Sequence, residues 1–78
     1  MREYLVKCAF PDLIHPPAMI YAAYVVVANN DNHAAHRAEK LVLPAIEAML
    51  RKVRVNPYTI GYVAEELLTI MSIELTEG

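Results

Sequence analysis

At 78 residues, with an apolar fraction of 56% and one cysteine, the chain has the length of a single domain (residues 1–78) and cannot form an internal disulfide. Its formal charge is −2 and its basic residues are few and clustered, which argues against the broad basic face of a typical nucleic-acid binder. No apolar run reaches membrane-spanning length and no signal pattern opens the chain, so a cytoplasmic protein without a membrane anchor is expected.

Arg2 to Phe10 reads as a strand, with Tyr4, Val6, Cys8 and Phe10 alternating against Glu3, Leu5, Lys7 and Ala9. Pro11, Pro16 and Pro17 then break the ladder and stiffen a connection with Leu13 and Ile14 at its tip. These two residues either fold back as a lid on the core or form a contact loop.

Met19 to Ala28 is a second strand, apolar on both faces. Met19, Tyr21, Ala23, Val25 and Val27 share one face, and Ile20, Ala22, Tyr24, Val26 and Ala28 the other. Strands covered on both faces have this composition, so it is expected at the centre of the sheet. One face must meet the helices, and the alternation does not say which. The other is left for a second chain. A homodimer is therefore expected, with Leu5, Ile20, Tyr24 and Val26 at its interface.

Asn29 to Asn32 is a turn running into a helix N-terminus, with Asp31 or Asn32 as the expected cap. From Asp31 to Val53, apolar residues recur at Ala34, Ala38, Leu41, Val42, Ala45, Ile46, Met49 and Val53. That spacing draws one stripe along a 3.6-residue helix, with His33, Arg37, Lys40, Glu47 and Arg51 behind it. Pro44 falls on the polar side without shifting the stripe, which predicts one bent helix rather than two. Ile60, Val63, Ala64, Leu67 and Leu68 predict a second, shorter helix, capped by Thr59 or Asn56. Thr69 to Thr76 reads as the last strand, Met71, Ile73 and Leu75 inward and Ser72 and Glu74 outward. The predicted fold is α+β, order ββααβ: a three-stranded antiparallel sheet with two helices on one face, the last strand beside the second.

The side chains that carry chemistry are sparse. His33 and His36 share a helical face near Asp31, but no cysteine pair or second acidic motif completes a ligand set, so no metal or cofactor is expected. Cys8 lies in the inward alternation, where a thiol packs and is inert. No enzymatic activity is expected. Residues 55–78 hold Glu65, Glu66, Glu74 and Glu77 and no basic residue, an acidic contact surface in the making. Arg51, Lys52 and Arg54 form a basic helix end, and a small nucleic-acid-binding or regulatory module built on them is the alternative reading.

The stretch Val-Val-Val-Ala-Asn-Asn-Asp followed by an alanine-spaced helix resembles the small proteins of phages and mobile elements, the anti-CRISPR proteins among them. The resemblance implies an inhibitor in the host cytoplasm that binds a Cascade-like ribonucleoprotein and blocks target DNA recognition. Glu65, Glu66, Glu74 and Glu77, with Leu13 and Ile14, are then the expected contacts to a basic surface.

Overall fold

The computed structural model describes residues 1–77, with side chains through Thr76. Its elements follow the predicted order: β1 (Arg2–Pro11), β2 (Met19–Ala28), α1 (Asp31–Lys52), α2 (Ile60–Leu67) and β3 (Thr69–Glu77). The fold is α+β, an open antiparallel sheet with two helices. Its Cα envelope is only 14 Å across its thinnest direction, the depth of one sheet and one helical layer.

The strand order is β2-β1-β3. This corrects two expectations: β2 is an edge strand, and β3 pairs with β1 rather than with β2. The apolar composition of β2 reflects an open face, not a second covering layer. β1 is the central strand, and its Lys7 meets Glu74 of β3 at 3.9 Å on the open face.

β1 and β2 pair without interruption from Arg2 opposite Ala28 to Pro11 opposite Met19. β3 is less regular, with register shifts at Glu3/Tyr4 and Lys7/Cys8. The second shift changes which β3 side chains face inward. Ile73 lies opposite Val6 and is half-buried, and Ile70 lies opposite Cys8 and packs on the core. Met71 is turned out by the extra residue and Leu75 lies beyond the helical cover, so neither is buried as expected.

α1 runs unbroken through Pro44, whose ring is exposed as the stripe required. Its cap is Asn30 rather than Asp31 or Asn32. Asn30 Oδ1 accepts from the His33 N–H at 2.9 Å, while His33 Nδ1 accepts from the Asn29 N–H at 3.0 Å. This reciprocal pair satisfies two amides and assigns His33 a structural task. At the other end Arg54 N–H donates to Arg51 O and Val55 N–H to Leu50 O, both at 3.1 Å. These bonds make a Schellman stop, with Arg54 at φ 62° in the left-handed position that usually holds glycine. α2 begins after Thr59, whose hydroxyl donates to Asn56 O instead of accepting from the helix.

The core lies between α1 and the helix-facing side of the sheet. One cluster joins Tyr4, Val6, Val26 and Ala28 to Ala34 and Ala38. The other joins Cys8 and Phe10 to Val42, Ile46, Met49 and Leu50, with Ile60 and Ala64 of α2. Leu50 is fully buried whereas Leu41 and Ala45 are exposed, so the buried stripe lies slightly around the helix from its expected position. Leu13 closes the end of this core, its N–H 3.4 Å from Met49 Sδ, which supports the lid reading of the loop.

Candidate protein interface

Strand alternation divides the sheet residues between two surfaces, and α1 and α2 cover only one. The even-numbered side chains of β2 face the helices: Val26 and Ala28 are buried, and Ile20, Ala22 and Tyr24 pack against the core. Ile20, Tyr24 and Val26 therefore face the helical layer and not the open side of the sheet, which corrects their grouping with Leu5 on one open face. Leu5 does lie on the open side, opposite Val25 and Glu74.

The open side is apolar. Tyr21 is 68% exposed, Val25 62% and Met71 56%, and Met19 and Val27 are also uncovered. Between Tyr21 and Met71 lies a recess of about 250 Å³, floored by Cys8, Ala22 and Ala23 and flanked by Lys7. The small side chain of Ala23 and the bulge at Lys7/Cys8 leave the depression open down to the strand backbone. The recess opens to solvent and its lining is mainly apolar. Contiguous apolar area of this kind, rimmed by the Lys7–Glu74 pair, characterises protein-binding surfaces.

The acidic residues of the C-terminal third do not form one patch. Glu74 lies on the open side, paired with Lys7, whereas Glu65 and Glu66 are exposed on α2 in the opposite layer. Glu65 stands with Glu39 around a small cleft also lined by Leu43 and Leu68. The Glu77 side chain lies outside the described residues. Ile14 is exposed at the tip of its loop, while Leu13 is held in the core. Asp12 Oδ1 fixes that tip by accepting from the N–H groups of Ile14 and His15 at 3.0 and 3.1 Å. Desolvation pushes the Asp12 carboxyl up, but these two N–H groups and the nearby His15 ring outweigh it and hold the group below its ordinary value.

At the basic helix end, Arg51 and Arg54 line a cleft with Glu47, Val55, Pro57 and Ile60. The carboxylate of Glu47 in that cleft works against a phosphate ligand. Cys8 is fully buried, its Sγ 3.6 Å from Ala22 O, and burial pushes the thiol up. His33 is engaged by Asn29, so it does not stand free beside His36. Among the described residues, no group of three or more His, Cys, Asp or Glu side chains is placed to hold a metal ion. No described helix is long and apolar enough to cross a membrane. Comparisons with protein-family models, curated proteins and solved structures give no match.

The open sheet face is the feature that sequence reasoning located only in part. Alternation showed two apolar faces on Met19–Ala28, and Leu5 was assigned to the open side. Nothing in the alternation marked Tyr21 and Val25 rather than Tyr24 and Val26 as the exposed set, and a bulge leaves no sequence signal that would have moved Met71.

Proposed function

We propose that this chain is a small non-enzymatic protein-binding inhibitor whose contact surface is the open sheet face. The observation that carries the reading is the apolar recess between Tyr21 and Met71 on that face, with Val25 and Leu5 around it. A partner side chain seated there excludes water from a ready-made depression, at little cost in ordering because the surrounding strands are already fixed. Glu65 and Glu66 lie on the other layer and act differently, by steering the chain toward a basic partner at long range. The resemblance to anti-CRISPR proteins makes a Cascade-like ribonucleoprotein the partner to test. Inhibition would then follow from occupying protein surface that target DNA requires.

The test measures target-DNA binding by a purified type I surveillance complex with the parent chain and with two double variants. Tyr21→Asp with Met71→Asp is expected to remove inhibition while the chain stays folded by circular dichroism. Glu65→Lys with Glu66→Lys is expected to slow association and weaken its salt dependence, without abolishing inhibition at saturation. A folded Tyr21/Met71 variant that inhibits like the parent would refute the open face as contact surface. A parent chain that leaves DNA binding untouched would refute the proposed partner.

A further inference from the structure

We propose that the cleft between β2 and the N-terminal half of α1 is a binding site for a small phosphate monoester. The cleft encloses about 580 Å³, within the range of small-ligand sites. Four of its lining residues, His33, His36, Arg37 and Lys40, come from two successive turns of α1. At 3.6 residues per turn they fall within about 100° of arc, and at 1.5 Å per residue they span about 10 Å of the axis. The helix therefore gathers four side chains that donate hydrogen bonds, two of them charged, along one wall. Val25, Val27 and Leu41 supply apolar surface beside them, and Val25 and Leu41 are each more than half exposed.

Two of the four donors are already held in place from behind. Arg37 Nη1 donates to Val27 O at 3.0 Å, which ties the guanidinium to the sheet and leaves its remaining N–H groups for a ligand. His33 Nδ1 accepts from the Asn29 N–H at 3.0 Å, so the neutral ring carries its hydrogen on Nε2 and enters the cleft as a donor. Neither Arg37 nor Lys40 is in an ion pair among the described residues. The carboxylates of α1 stand elsewhere. Asp31 is about 160° around the helix from His33. Glu39 lines the cleft it shares with Glu65, and Glu47 the one it shares with Arg51 and Arg54. On the sheet, Glu74 meets Lys7 and Glu3 accepts from the Thr76 hydroxyl. A chain of net charge −2 thus keeps two uncompensated cations at one cleft. Like charges one turn apart on a helix repel each other, and an anion between them removes that cost.

The donor set selects the ligand class. A phosphate monoester carries a charge near −2 at neutral pH and three acceptor oxygens, which matches two cations flanked by two imidazoles. A carboxylate brings half the charge and two oxygens, and a metal cation is repelled. The apolar surface of Val25, Val27 and Leu41 takes the organic part of the ester, which separates an organic phosphate from inorganic phosphate. The cleft lies outside the recess between Tyr21 and Met71, so its occupancy does not depend on the partner proposed for the open face.

Titration of the chain with phenyl phosphate, inorganic phosphate and phenol at fixed ionic strength, followed by amide NMR, tests the site. Phenyl phosphate is expected to saturate, to move the amide signals of residues 25–27 and 33–41, and to bind about fivefold more tightly than inorganic phosphate. Phenol is expected to leave those signals in place over the same range. Lys40→Gln is expected to weaken phenyl phosphate by about fivefold or more with the fold intact. Arg51→Gln, at the other basic cleft, is expected to bind it like the parent. Shifts centred on Arg51 and Arg54 would overturn the proposal, as would undiminished affinity in Lys40→Gln or no saturation by about 10 mM phenyl phosphate. A short single-stranded DNA that moves the same signals at lower concentration than phenyl phosphate would also overturn it, and would give the cleft to a nucleic-acid backbone. If Lys40→Gln fails to fold, the pattern of shifts in the parent chain still decides.

Discussion

Val25 and Val26 are neighbours of the same chemistry on one strand, yet Val25 is 62% exposed and Val26 only 6%. The same contrast separates Tyr21 from Tyr24 and Leu5 from Val6. Along β2 one surface is packed against α1, and the other holds equally apolar side chains facing water, beside the charged pair of Lys7 and Glu74. A strand's composition therefore reports how much it can bury, not what buries it. The covered surface is where stability resides, and the open one is free to be spent on association.

Three measurements break or sharpen that contrast, in decreasing order of expected effect. Val26→Ala is expected to destabilise the fold by about 1.5–2 kcal/mol, from two lost methyl groups in a packed site. Val25→Ala is expected to change it by less than about 0.5 kcal/mol. Urea unfolding of both variants decides the matter, and equal losses would mean that the open face is covered within the folded state.

The covering layer can also be tightened without touching the open one. Arg54 holds a left-handed conformation at the end of α1, at a cost of about 1 kcal/mol for a residue with a Cβ. Arg54→Gly is expected to recover about 0.5–1 kcal/mol, read as a rise in melting temperature, with partner binding unchanged. A drop would show that the Arg54 side chain supports the cleft it shares with Glu47 and Arg51.

The smallest effect concerns the loop whose Leu13 closes the covered layer. Because the folded Asp12 carboxyl sits below its ordinary value, its contribution is present above the unfolded value and is lost as pH falls through the folded one. The parent chain is expected to lose slightly more stability on acidification below about pH 4 than an Asp12→Ala variant, in parallel urea titrations. Identical acid profiles would show that the loop does not depend on the ionised group.

Much of the fold could be read from residues, and the exceptions have definite causes. Period-2 alternation located β1 and β3, an unbroken apolar run between Pro17 and Asn29 located β2, and the 3.6-residue stripe located α1, because each pattern extends over many residues. Alternation identifies which side chains share a face but not which strand lies alongside, so it could not distinguish β2 at the edge from β2 at the centre. A stripe drawn by type alone took in Leu41 and Ala45 and missed Leu50, since a helix wide enough to carry apolar side chains on two flanks does not declare which flank is covered. The stop at Arg54 carried no glycine to announce it. For the interface the limit was sharper. Glu65, Glu66 and Glu74 are close in sequence, but a turn of chain between α2 and β3 sends them to opposite layers.

The central place of β1 has a consequence for how the chain is assembled. Its pairing with β2 joins residues as few as 8 apart, Pro11 and Met19, whereas its contact with β3 reaches from Glu3 to Thr76, a separation of 73. The hairpin and α1 can therefore organise locally as the polypeptide emerges from the ribosome, while the other side of β1 waits for the last strand. Until β3 arrives, the side of β1 that becomes the middle of the sheet stays unpaired. Maturation of the sheet is thus a long-range, late event, and a slow folding phase sensitive to substitutions in β3 is its kinetic signature.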